Sequence, residues 1–321
     1  MWIDSAQSGD MKFNSKIAWQ MTISVFIIWL PLLIGTPNRI SQTSSLSDGR
    51  KQKSNLFSPV IAKLLKRGMD TSFLNLLISD YRTQFNEKFI KINVSGFLKK
   101  IDYSANYSNS SVRRCREFLR RNRKILAECE ENHNVPKEVI TAILWIETKF
   151  GKITGDYHVP SVFFSTAMAD QPMNIELNVS ELDINFNGDK AELPELKEKI
   201  KRRALKKSEW ALNELMALAQ LRKFSPIWPG ELFGSWSGAF GLCQFLPSSY
   251  VKWGIDGNGD GRVNLFDLDD AVFSVGNYLK AHGWNDSLDA RRQAVFLYNN
   301  SYDYVDAVME LARRLNMGQG K

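Results

Sequence analysis

The chain has 321 residues, with 42 Lys and Arg against 35 Asp and Glu for a net charge of +7, and is 44% hydrophobic with only 3 Cys. That composition excludes a disordered chain, a collagen-like chain and a disulfide-stapled miniprotein, leaving a globular protein of one large domain or two modest ones. The mild basic excess suits an acidic partner, yet no zinc-finger or RNP motif accompanies it, so nucleic acid is not expected.

At the N-terminus Met11, Lys12 and Lys16 precede an apolar stretch, 17–35, and a polar Ser-rich stretch follows it. This basic, apolar, polar order over residues 1–36 predicts export, to the periplasm or to the membrane facing it. Two readings stand. Leu33 and Gly35 make a poor small-x-small cleavage site, and the stretch is long enough to cross a hydrocarbon core of roughly 30 Å, so it is either a signal peptide or a membrane anchor. No Cys follows it, so lipid attachment there is not expected.

Residues 37–54 read as a polar linker and 55–111 as a helical lead-in. Apolar spacing predicts helices over 57–65 and 72–85, with Asp70 opening the second. Residues 111–132, with no Gly or Pro, predict one long helix. Cys115 and Cys129, 14 positions apart on it, would lie about 21 Å apart, beyond any bridge. Three unpaired, buried thiols are therefore expected, Cys243 being the third.

Asn134-Val-Pro136 predicts the start of a helix running through Phe150 to a stop at Gly151. Counting back from Glu147 by seven, four and three gives Ile140, Ile143 and Leu144, which places this carboxylate on the apolar face. A carboxyl there is desolvated and can hold a proton near neutrality, as a general acid must. The alternative is a helix-end Glu paired with Lys149 or Lys152. Residues 174–194 read as polar and irregular. A basic helix follows over 195–221, its 197–207 cluster a solvated face or a contact for an anionic polymer or membrane surface.

The segment Gly234-Ser-Trp-Ser-Gly-Ala-Phe-Gly-Leu-Cys-Gln-Phe-Leu-Pro-Ser-Ser-Tyr250 is rich in small residues that allow close backbone approach. No strand precedes it and its glycines do not fit a dinucleotide loop, leaving a sugar-lining loop or a tight structural turn. Next, Asp256, Asn258 and Asp260 occupy positions 1, 3 and 5 of a calcium-loop pattern, with Gly261 at 6 and Arg262 at 7 offering its carbonyl. Position 12 holds Asp267 instead of Glu, and Asp270 is an equally good closing ligand. As one loop and not a pair, it suits a structural clamp better than a sensor.

Taken in order, Val135-Pro…Ile146-Glu-Thr-Lys-Phe-Gly151, the Gly234 segment, the Asp256 loop, Asn277-Tyr-Leu-Lys-Ala-His-Gly-Trp284 and Tyr298-Asn-Asn-Ser-Tyr-Asp-Tyr-Val-Asp-Ala-Val308 resemble the lytic murein transglycosylase B family. The resemblance covers roughly residues 112–316. It implies a mainly α, lysozyme-like catalytic domain over 112–321 that cleaves the β-1,4 bond between N-acetylmuramic acid and N-acetylglucosamine without water, leaving 1,6-anhydromuramoyl ends. Glu147 would serve first as acid and then as base. Ser235, Gln244, Tyr278 and Asn299 would line the saccharide groove, Ser235 orienting the acetamido group and Tyr278 packing by the acid. The calcium ligands carry over as Asp256, Asn258, Asp260, the Arg262 carbonyl and Asp270, with Asp267 the rival to close the loop. Peptidoglycan glycan strands are the expected partner, and a monomer is expected.

Some features depart from the family. Only residues 285–297 separate the His-Gly-Trp and Tyr-Asn motifs, 170–193 is unlike the family pattern, and Cys243 replaces a usually small residue beside Gln244. Two other readings on the same fold are a non-catalytic wall- or protein-binding module and a muramidase-type hydrolase.

Overall fold

The computed structural model describes residues 55–94 and 101–317; the apolar stretch 17–35 and the linker 37–54 lie outside them. The described chain is mainly helical. Ser58–Lys66 (α1) and Thr71–Ser79 (α2) come first, and Asp70 caps α2 by accepting the Phe73 N–H at 2.8 Å. α2 stops short of the expected 85 because Asp80 turns extended and its carboxylate takes the Arg82 N–H at 2.9 Å and the Arg82 guanidinium at 2.6 Å.

Asn109–Arg121 (α3) and Arg123–His133 (α4) replace the single helix expected over 111–132. Asn122 breaks it. Its backbone sits at φ −110° and ψ 26°, and its side-chain amide donates to the Phe118 carbonyl, competing with the helical ladder. The thiols are as expected: Cys115, Cys129 and Cys243 are unpaired and buried. Burial pushes Cys115 and Cys129 up to about 12 and raises Cys243 as well, so all three are inert at neutral pH.

Lys137–Thr148 (α5), Val159–Ala167 (α6), Pro172–Asn185 (α7) and Leu193–Leu221 (α8) follow. α7 corrects the irregular reading of 174–194. Pro172 opens it where a missing N–H costs nothing, and buried Asn178 accepts the Ile92 N–H at 2.7 Å and donates to the Ile90 carbonyl at 3.1 Å, tying the helix to the lead-in. The remaining helices are Pro247–Trp253 (α9), Leu268–Ala281 (α10), Leu288–Tyr298 (α11) and Tyr302–Asn316 (α12). Tyr157–His158 (β1) pairs antiparallel with Phe233–Gly234 (β2), Tyr157 opposite Gly234.

α5 is the central helix. Val139 to Trp145 are all buried, because α12 packs along it, α3 and α4 cover it, and a helix apolar all round must be enclosed. α6 and α9 lie against the long α8, and α10 packs on α4. One continuous apolar cluster runs from Phe57 and Phe73 through Ile140, Phe163 and Leu215 to Tyr304, so the lead-in shares its core with the rest of the described chain. Polar ties reinforce this: Arg67 donates to Asn213 at 2.9 Å, and the Gln84 N–H donates to Ser161 Oγ at 2.9 Å.

Candidate active site

α5 ends at Thr148, two residues earlier than expected, because Lys149 and Phe150 both take the left-handed conformation at φ 54° and 60°. Holding two non-glycine residues there costs about 1–2 kcal/mol each. The Thr148 hydroxyl stabilises the turn. It accepts the Gly151 N–H at 2.9 Å and donates to the Leu242 carbonyl at 2.8 Å, fastening the Glu147 end of α5 to the glycine-rich Gly234–Tyr250 segment. That segment can lie so close because it is glycine where contact is tightest: a Cβ on Gly234 would sit 2.1 Å from the Ala239 carbonyl oxygen.

Glu147 is partly buried and forms no ion pair among the described residues. Lys149 turns elsewhere, its ammonium bonding the Asn106 side chain at 2.5 Å and the Trp145 carbonyl at 3.0 Å. The carboxyl instead accepts the Tyr304 hydroxyl at 2.6 Å. Burial pushes it up to about 7, against the opposing pull of that hydrogen bond and of the Lys149 charge. The pocket around it is tyrosine-rich. Tyr103 meets Tyr304 edge to face at 6.0 Å, and Tyr298 stacks parallel to Tyr304 at 6.5 Å while donating to the Cys243 carbonyl at 2.5 Å. Burial together with the Glu147 and Asp303 charges raises Tyr103 to about 12, and burial raises Tyr298 and Tyr304 well above the usual tyrosine range, so all three stay protonated.

Of the four residues expected along the groove, Gln244 is fixed most tightly. Its backbone is left-handed at φ 52°, and its Nε2 donates to the Gly241 carbonyl at 2.9 Å and the Thr154 carbonyl at 3.1 Å. Ser235 Oγ lies 3.0 Å from Ser237 Oγ and accepts the Ala239 N–H at 3.3 Å. Asn299 ends α11, half-buried. Tyr278 is buried and donates to the Leu297 carbonyl at 2.7 Å; it reaches the acid only through Tyr298, 4.9 Å away, and Tyr304. Tyr304, not Tyr278, is the tyrosine that touches Glu147. Sequence reasoning missed this role, although Tyr304 lies inside the segment read as the family's closing motif.

In the Asp256 loop, Asp256 Oδ1 accepts the Gly259 N–H and Oδ2 the Gly261 N–H, each at 2.7 Å, and Asp260 Oδ1 accepts the Arg262 N–H at 2.8 Å. The two closing candidates separate. Asp267 caps α10, accepting the Asp269 N–H at 2.9 Å. Asp270 is fully buried and turns back into the loop, accepting the Gly257 N–H at 2.8 Å and the Asn264 N–H at 2.5 Å. Burial raises its pKa despite these bonds, and the Asp267 charge adds to the shift. Among the described residues no three His, Cys, Asp or Glu side chains are grouped so as to hold a metal ion.

A further buried acid escaped the sequence reading. Glu214 on α8, 3% exposed, accepts both the N–H and the hydroxyl of Ser248 at 2.8 and 2.7 Å, capping α9 from another helix. Ala211, Ala217 and Leu218, at helical spacing from it, give a signal like the one at Glu147.

A stretch of 152 residues is 31% identical to membrane-bound lytic murein transglycosylase B of Escherichia coli K12, covering 47% of this chain and 33% of that protein, so the chain spans about a third of that relative's length. Among solved structures, Pseudomonas aeruginosa SltB3 in complex with NAG-anhNAM-pentapeptide superposes with a TM-score of 0.61 at 17% identity, over 82% of this chain and 79% of that one. The Escherichia coli lytic transglycosylase Slt35 in complex with calcium superposes with a TM-score of 0.58 at 19% identity, over 84% of this chain and 94% of that one. These likenesses establish the lysozyme-like fold that the five motifs imply. The family model for the transglycosylase SLT domain matches residues 54–295, three quarters of the chain and including the lead-in, and the protein belongs to that family.

Proposed function

We propose that this protein is a lytic transglycosylase acting on peptidoglycan glycan strands, with Glu147 as its single catalytic carboxyl. The observation that carries the reading is the Glu147 carboxyl itself, lifted to about 7 by burial and held by a tyrosine hydroxyl. A group so poised is protonated for one step and ionised for the next. In the first step Glu147 gives its proton to the glycosidic oxygen as the bond to muramoyl C1 breaks. In the second, the carboxylate takes the proton of the muramoyl C6 hydroxyl while that oxygen closes onto C1. The acid is regenerated and no water is consumed. A two-carboxylate hydrolase would need a second acid beside the scissile bond.

Ser235, Gln244 and Asn299 are assigned to hydrogen bonds with the sugars, Ser235 to the acetamido group, and Tyr278 to supporting the tyrosine cluster behind the acid. The murein named for the curated relative and the NAG-anhNAM-pentapeptide bound to SltB3 support this substrate class. The basic, apolar, polar order of residues 1–36 supports export to the periplasm or membrane anchoring through 17–35.

A calcium ion is proposed for the Asp256 loop, held by Asp256, Asn258, Asp260, the Arg262 carbonyl and Asp270, with Asp267 left as a helix cap. The donors are hard oxygens, and among the described residues no basic side chain neutralises Asp256, Asp260 or the buried Asp270. A cation there would clamp the loop and take no part in the reaction. The calcium complex of Slt35 supports the assignment.

Digestion of purified peptidoglycan followed by mass spectrometry of the ends tests the reading. Anhydro ends that vanish with Glu147→Gln are expected. Free reducing ends would mark a hydrolase, and binding without cleavage a non-catalytic module.

A further inference from the structure

Between residues 113 and 124 the chain carries six arginines and one lysine against a single acid, Glu117, which is taken up by Arg121. Arg116, Arg120 and Arg123 together with Lys137 rim a groove of about 600 Å³ whose floor is Leu119, Ala127 and Leu315. Lys137 is engaged by Glu130 at 2.8 Å and Arg116 donates to the Arg314 carbonyl at 2.9 Å. Arg120 and Arg123 are exposed and have no acidic partner among the described residues.

The basic cluster on α8, read from the sequence as a solvated face or a contact for an anionic polymer or membrane surface, is in part paired within the protein. Lys197 pairs with Asp183 at 2.8 Å, Lys201 with Glu198 at 2.6 Å, and Lys207 donates to the Lys91 carbonyl at 2.8 Å. The α3–α4 junction instead gathers arginine charge around one groove. The charge is there because the turn at Asn122 brings Arg120 and Arg123 to the rim of that groove.

We propose that this groove is a docking surface for an anionic phospholipid bilayer. Planar guanidinium groups match phosphate oxygens in pairs, and Arg is chosen over Lys six to one in this segment. A cationic rim beside an apolar floor suits an amphiphile, with headgroup phosphate between Arg120 and Arg123 and the first methylenes over exposed Ala127 and the arginine stems. An acidic protein would match the rim alone, and the same chain carries the apolar stretch 17–35. Lys137, at the groove, begins α5 and Glu147 lies in its last turn, about 15 Å along the axis at 1.5 Å per residue. Docking here leaves the Glu147 end of the helix free for a glycan strand.

Hydrogen exchange on the full chain tests the proposal, comparing vesicles of phosphatidylcholine alone with vesicles that also contain phosphatidylglycerol. Exchange in peptides covering 112–127 is expected to slow several-fold on the anionic vesicles only, and the difference to disappear in high salt and in an Arg120→Gln, Arg123→Gln double variant whose thermal melt is unchanged. Equal exchange on both vesicles, or a difference that survives the double substitution, overturns the proposal. So does equal protection by inorganic phosphate, which would mark a free-anion site, or protection by polyglutamate but not by vesicles, which would mark an acidic protein partner.

Discussion

The Tyr304 hydroxyl donates to Glu147 Oε1 at 2.6 Å across 157 residues of sequence, joining α12 to the central helix α5 along which it packs. The bond favours the carboxylate, while burial favours the acid, and the balance leaves the group at about 7.

Tyr304→Phe should therefore move the Glu147 pKa up, since it removes a donor to the ionised form and leaves burial intact. The alkaline limb of the cleavage rate against pH, set by loss of the proton on Glu147, is expected to shift to higher pH while the maximal rate falls roughly tenfold or more. Rate profiles of the two proteins on the same peptidoglycan check this. An unmoved limb would show that Tyr304 does not govern the proton.

Glu147→Gln should abolish cleavage and also stabilise the protein at alkaline pH. The folded-state pKa lies above the unfolded one, so the folded protein keeps a proton through the window from 4.5 to about 7 that the unfolded chain releases. Stability contributed by this group thus declines as pH rises through the window, reaching a penalty of up to about 3 kcal/mol above it. Gln carries no such penalty. Denaturant unfolding at about pH 8.5 should show the variant more stable than the parent, with the gain mostly lost by about pH 5.

The placement of Glu147 was legible because burial of one helix face depends on local spacing: Ile140, Ile143 and Leu144 line up with it within two turns. The tyrosine on its carboxyl was not, because a contact between α5 and α12 has no local period to betray it. The break at Asn122 stayed hidden for a related reason, since an Asn side chain competing for the Phe118 carbonyl leaves no Gly or Pro in the sequence. α7 was hidden by its weak amphipathicity, its anchor being the single buried Asn178. At the calcium loop, spacing left Asp267 and Asp270 equivalent; only the direction each side chain takes from the start of α10 divides cap from loop.

That division predicts two different losses. Asp270→Asn should abolish the rise in melting temperature that calcium gives over EGTA, because it removes the one fully buried acid of the loop. Asp267→Asn should keep the calcium-dependent rise and leave stability nearly unchanged, as Asn caps a helix about as well as Asp; Asp267→Ala should cost about 1 kcal/mol with or without calcium. Thermal melts of the three variants in calcium and in EGTA check this. A calcium response lost in Asp267→Asn and kept in Asp270→Asn would reverse the assignment.

Glu214 offers the clearest test of how the long α8 supports the site. It takes two hydrogen bonds from Ser248 at the start of α9, which follows directly on the segment holding Gln244, so a half-buried N–H and hydroxyl depend on one buried carboxylate. Glu214→Ala would take the charged acceptor from both donors and is expected to cost about 2 kcal/mol in denaturant unfolding. Ser248→Ala removes one of the two bonds and should cost about half as much, since the N–H bond survives. Because Gln244 is held by the Gly241 and Thr154 carbonyls and not by α9, the Glu214 variant that still folds should keep its cleavage products while losing stability. A loss of activity in the folded variant would show instead that α9 positions Gln244.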